Sequence, residues 1–105
     1  MTVKSYKRSY NVGMEFEWDT AKEASNLQKH GVSFDDATLV FYDTGRIETY
    51  DARGNYREDR WVTIGLAFSA VLYVVYAVRD EEAVRLISAR KANANERKQY
   101  REANP

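Results

Sequence analysis

From Met14 the chain alternates apolar and polar residues through MEFEW, residues 14–18, which reads as a short strand with one buried face. Asp19 or Thr20 then offers an N-cap, and Thr20 with Glu23 has capping-box spacing, so a helix is expected over about Thr20–Lys29. Ala21, Ala24 and Leu27 give it a narrow apolar face, and Gly31 gives it a C-terminal stop. Ser33 and Asp36 repeat the capping spacing. They open a short helix in which Phe34, Ala37, Val40 and Phe41 face a core at helical spacing. After Asp43–Gly45 period two returns. RIETYDAR reads as a strand, GNYR as a turn, and EDRWVTIGLAF and AVLYVVYAVRD as two strands of a hairpin. A turn at Asp80–Glu82 leads into a last strand, AVRLISARK, and Asn93 or Asn95 caps a final helix that ends near Glu102.

The expected order is therefore β-α-α-β-β-β-β-α, an α+β domain. Four consecutive strands joined by short turns imply a largely antiparallel sheet, with the two early helices packed on one face. The other face is left to polar residues, a partner or the final helix. Residues 61–78, WVTIGLAFSAVLYVVYAV, are long enough to span a membrane. Their Thr, Gly and Ser, with abundant Val, Ile and Tyr, instead read as two buried strands turning near Ala67–Ala70, and no membrane association is expected.

Composition adds bounds. A chain of 105 residues, 44% hydrophobic and 30% charged, suits one globular domain. Cysteine is absent, which excludes disulfides, thiolate zinc sites and a cysteine nucleophile and fits a cytoplasmic setting. Residues 1–13 carry Lys4, Lys7 and Arg8 and no acid, and they read as a leader or disordered extension, with a native first strand as the alternative. The single domain is then 14–105. Overall charge is zero, so the body is mildly acidic, yet Arg85, Arg90, Lys91, Arg97, Lys98 and Arg101 face only Glu96 and Glu102 near the C-terminus. A local basic surface on such a body points to a local anionic partner.

Candidate chemistry is sparse. His30 is the one histidine, so a multi-histidine metal site is excluded, and no carboxylate cluster has ligand spacing; no metal or cofactor is expected. His30 ends a helix, where a cation meets the dipole favourably, and it is also the one group whose ordinary pKa allows proton exchange near neutrality. Arg60, Arg79, Arg85 and Arg90 lie in or at the ends of strands. Strict alternation puts Arg85 and Arg90 on opposite faces unless a bulge intervenes. Converging arginines would suit phosphate. On the last helix Glu96 and Tyr100 share one face and Arg97 and Arg101 another.

Two separated signatures go further. The first contains Trp18–Asp19, Asn26, Lys29–His30–Gly31, Ser33–Phe34 and Ala37; the second contains Ile87–Arg90, Ala92, Glu96–Arg97 and Tyr100. Together they make the chain resemble the BrnT toxin family of type II toxin–antitoxin systems, over about Met14 to Tyr100. The extension before Met14 is the main departure. The resemblance implies a RelE-like fold, ribonuclease activity that blocks translation, and neutralisation by a BrnA antitoxin. Operator DNA would be bound only through the antitoxin complex.

Metal-independent RNA cleavage uses the substrate's 2′-OH as nucleophile and asks the protein for a base, an acid and cations. Arg79 and Arg90 are the expected phosphate holders, with Arg60 or Arg85 as substitutes. Lys91 and Arg97 extend the RNA-binding set. Lys29, His30, Glu96 and Tyr100 are the available proton-transfer groups, with base and acid unassigned among them. The rival class is a non-catalytic RNA- or protein-binding module.

Overall fold

The computed structural model describes residues 3–7, 15–51, 59–80 and 83–105; the side chains of residues 3–7, 79 and 80 are outside that set. The expected GNYR turn and the residues between Asp80 and Ala83 also lie outside it. Six strands form one sheet: β1 (Val3–Lys7), β2 (Glu15–Asp19), β3 (Ile47–Asp51), β4 (Arg60–Ala67), β5 (Ala70–Asp80) and β6 (Ala83–Lys91). Their order is β1-β2-β6-β5-β4-β3, and only the β2–β6 pair is parallel. The helices are α1 (Thr20–His30), α2 (Phe34–Thr38) and α3 (Ala94–Ala103), with a 3₁₀ turn at Leu39–Tyr42. After β1 the order is the one read from the sequence. Val3–Lys7, within the stretch 1–13 that reads as a leader, pairs antiparallel with β2 at the sheet edge.

The caps are side-chain chemistry. Asp19, not Thr20, caps α1, accepting from the Ala21 and Lys22 amides at 2.8 and 3.3 Å. The Thr20–Glu23 box does not form because Thr20 is already helical. Gly31, at φ 70°, closes α1 in the left-handed region, where its lack of a Cβ avoids strain. Ser33 caps α2, and Asn93 and Glu96 form a reciprocal capping box on α3.

The larger core lies on one sheet face. Phe16, Trp18, Phe34, Ala37, Val40, Phe41, Val74, Tyr76, Val84, Leu86 and Ala89 are buried there beneath α2 and the 3₁₀ turn. Gly65 lets that turn come close, since a Cβ would sit 2.9 Å from Val40 Cγ1 and from the Arg46 Cβ. The opposite face has a smaller cluster of Val62, Ile64 and Val75, closed by Tyr100 of α3. The final helix thus covers the face that the early helices leave open.

Helix α1 departs from its expected apolar seating. Ala21 and Ala24 are exposed and Leu27 is 48% exposed; Asn26 is the buried residue. The reason lies in β6. β2 pairs with β6 only through Glu17↔Arg85, so the strand beyond that point has no β2 partner. Asn26 takes the missing partner's place. Its amide donates to Ala89 O at 2.8 Å and Val32 O at 3.0 Å, and its carbonyl accepts from Ala89 N at 3.1 Å. Buried backbone groups without partners are costly, so this bonding fixes which side of α1 turns inward.

Replacing Asn26 with Ala leaves two carbonyls and one amide of that seam without protein partners. The expected loss is about 2–4 kcal/mol, measured by denaturant unfolding. Faster hydrogen exchange at the Ala89 amide is expected with it. An unchanged Ala89 exchange rate would contradict this role for Asn26.

Candidate functional site

The arginine positions turn on one irregularity in β6. Val75 pairs with Ser88 but the next residue, Tyr76, pairs with Leu86, so Ile87 is an extra residue in a bulge. Val84, Leu86 and Ala89 consequently share one core, which strict alternation forbids. Arg85 and Arg90 therefore project from the same face, not from opposite ones. Counting forward from Leu86 and back from Ala89, Ile87 and Ser88 project from that face too. Lys91, one residue further, is exposed on the other.

Arg60 joins this face, two strands from Arg85. Arg60 pairs with Ala77 and Ala77 with Arg85, so the two arginine backbones flank one small residue about 9–10 Å apart. Carboxylates end the row: Asp51 pairs with Arg60, and Glu17 with Arg85. Arg79 stands in β5, and its side chain lies outside the described set.

Arg90 is held on several sides. Its guanidinium makes two bonds to the Glu96 carboxylate, at 2.8 and 2.9 Å, and one to Lys91 O at 3.2 Å, and it lies 3.9 Å from the Tyr73 ring centroid. The Arg90 hydrogen bonds lower the Glu96 pKa, against burial, and the Asn93 amide and the arginine charge add to the lowering. Arg97 donates to Ala92 O at 2.7 Å. Tyr100 donates to Asp43 Oδ2 at 2.6 Å, and Asp43 also accepts from the Leu66 and Gly45 amides. Burial, then the bond to Asp43 and its charge, push the Tyr100 phenol up to about 12. Burial would raise Asp43, but the hydrogen bonds from Tyr100, Leu66 and Gly45 outweigh it and leave its pKa lowered. Glu96 and Tyr100 thus pin α3 at two points.

Lys29 and His30 occupy a different wall. With Lys22, Ser25 and Asn26 they form the α1 side of a cleft of about 180 Å³, and Ile87 and Ser88 form its strand side. Among the described residues no carboxylate lines it. Lys22, Ser25 and Ser88 were not singled out from the sequence. The spacing of Lys22, Asn26 and Lys29 at i, i+4 and i+7 is the signal that places them on one helix face. A second groove, of about 300 Å³, runs between α3 and the sheet, with Val62, Ile64 and Tyr73 against Asn95, Glu96 and Gln99. Among the described residues no group of three His, Asp or Glu side chains is arranged to hold a metal ion. Cations thus stand both along the α1 wall of the cleft and along the sheet row, a charge arrangement suited to an anionic ligand.

The α3 pin gives a pH signature. Tyr100 has a raised pKa, so its bond stabilises the fold below the ordinary phenol value, about 10, and is lost as pH climbs through about 12. Asp43 has a lowered pKa, so its contribution is present above the ordinary carboxylate value, about 3.9, and is lost as pH falls through its lower folded value. Thermal melts of the parent and Tyr100→Phe should differ near neutrality and converge above about pH 12. Parallel curves across that alkaline range would contradict the pin.

Comparison with known proteins agrees with this architecture. Residues 18–96 match the family model described as ribonuclease toxin, BrnT, of type II toxin–antitoxin system. The crystal structure of the Brucella abortus ribonuclease toxin BrnT is similar, with a TM-score of 0.55 and 26% identity, covering 72% of this chain and 92% of that one. No curated protein matches the chain. With its two sequence signatures, its fold and a family match over residues 18–96, the chain belongs to the BrnT family of ribonuclease toxins of type II toxin–antitoxin systems.

Proposed function

We propose that this protein is an endoribonuclease that cleaves RNA without a metal ion, inhibits translation in the cytoplasm and is neutralised by a BrnA-type antitoxin. Operator DNA is contacted only through the antitoxin complex. One observation carries the catalytic part: the cleft holding Lys29 and His30 adjoins the β6 bulge, whose residues share a face with Arg85, Arg90 and Arg60. Proton carriers and cations lie around one stretch of strand, as a pentavalent phosphate requires.

In this reading the RNA 2′-oxygen attacks phosphorus as its proton passes to a base on the protein. The bond from phosphorus to the 5′-oxygen breaks, and that oxygen takes a proton from an acid. The products are a 2′,3′-cyclic phosphate and a 5′-hydroxyl, with no water consumed. His30 and Lys29 supply proton transfer. Glu96, held ionised by Arg90, and Tyr100, held protonated beside Asp43, serve chiefly to seat α3. Arg85, with Arg60 and Arg79 along the sheet, stabilises the phosphate charge, and Lys91 and Arg97 hold flanking RNA. Arg90 reaches phosphate to the extent that Glu96 releases it.

Replacing His30, an exposed residue, with Ala should reduce cleavage by roughly 10²–10⁴-fold without changing the melting temperature. Arg85→Ala should cost roughly 10²–10³-fold. Excess EDTA should leave the wild-type rate unchanged. Full activity in folded His30→Ala would remove that residue from the chemistry, and loss of activity in EDTA would replace the mechanism with a metal-dependent one. Arg90→Ala and Glu96→Ala both release α3 from β6, so their comparison isolates phosphate binding: Arg90→Ala should cost more activity at matched stability. Growth arrest with RNA cleavage on expression, reversed by co-expressed antitoxin, tests the wider reading.

A further inference from the structure

The α1–β6 cleft contains more than its proton carriers. Lys22, Ser25 and Lys29 project from one face of α1, spaced i, i+3 and i+7, and Ser88 faces them from the bulge. Lys22, Ser25 and Lys29 are exposed and Ser88 is half-buried. Neither lysine is engaged in an ion pair among the described residues, in contrast with Arg90. Asn26, between them, spends its amide on the Ala89 and Val32 backbone and so forms wall rather than ligand.

We infer that Lys22, Ser25, Lys29 and Ser88 form a seat for one phosphodiester of single-stranded RNA, next to His30. The inference rests on the ribonuclease reading of the same cleft and assigns it the groups that hold the substrate. An ammonium on a flexible stem is a mobile point charge, suited to a phosphate whose two non-bridging oxygens shift during reaction. Two hydroxyls on opposite walls can each donate to one of those oxygens. A seat lined by a carboxylate would repel the same ligand, and among the described residues this one has none. The bulge is what supplies Ser88. Strict alternation onward from Leu86 would turn Ser88 toward the core; the bulge keeps it on the arginine face, so the strand wall carries a hydroxyl there.

The test separates holding from chemistry. The probe is a single-stranded RNA oligonucleotide with every 2′-OH methylated, which binds but cannot be cut by in-line attack. Its affinity is measured over a range of salt concentrations, beside cleavage of the unmodified RNA. Lys22→Gln should weaken probe binding several-fold at low salt and reduce the slope of log affinity against log salt by about 0.7. Ser88→Ala should weaken probe binding and raise KM about 3–10-fold, with Ser88→Thr restoring both. Melting temperatures should not move, because none of these side chains is a described bonding partner in the fold. Wild-type affinity and salt slope in Lys22→Gln and Ser88→Ala would overturn the seat, even if His30→Ala abolishes cleavage and the ribonuclease reading stands. Weakened probe binding in both variants with normal cleavage by His30→Ala would uphold the seat and remove the chemistry assigned to His30.

Discussion

The side-chain amide of Asn26 is the interaction on which the rest depends. A parallel strand partner leaves β6 after Glu17↔Arg85, and the exposed backbone edge must be satisfied in some other way. Asn26 offers a donor and an acceptor on one planar group, and it meets Ala89 with both. That bonding decides the rotation of α1 about its axis. The rotation in turn decides that Lys22, Ser25, Lys29 and His30 look across at the strand while Leu27 looks away. A polar contact sets the orientation here because apolar burial along α1 is too slight to do so.

The bulge in β6 complements it. Two unrelated demands meet in the same strand: Val84, Leu86 and Ala89 must all enter one core, and Arg85 and Arg90 end on one face. Only an inserted residue reconciles them. The shared face is then divided by α3, which Arg90–Glu96 and Asp43–Tyr100 hold in place. Charge counts along the C-terminal quarter therefore overstate the field there. Arg90 is largely neutralised within the fold, and the lysines on α1, far earlier in the chain, carry cationic character that is open to ligands.

Much of the fold was legible. Strand and helix order followed from periodicity, and the hairpin at Phe68–Ser69 lies where a membrane reading was set aside. Phe34, Ala37, Val40 and Phe41 enter the core as their spacing indicates. Where the fold departs from periodicity, the causes are physical. Apolar spacing points Leu27 inward, but the open β6 edge that turns α1 the other way exists only once the strands pair. The face of Arg85 relative to Arg90 depended on a single extra residue, and no local sequence signal distinguishes a bulge from regular alternation in LISAR. Glu96 and Tyr100 were legible as one helical face, but their partners Arg90 and Asp43 come from separate parts of the chain. The i, i+4 and i+7 spacing of Lys22, Asn26 and Lys29 carries no chemistry by itself; it gains meaning only when Asn26 bonds the β6 edge.

Gly65 has a reach beyond its own strand. By admitting the 3₁₀ turn against β4, it brings Asp43 to the point where one carboxylate binds the Leu66 amide, the Gly45 amide and the Tyr100 phenol. The position of the C-terminal helix is thus transmitted through an atom that is missing. A methyl group added at Gly65 would act at a distance, prying at a helix encoded some thirty residues later, because the turn that carries Asp43 already packs directly against the bare backbone there.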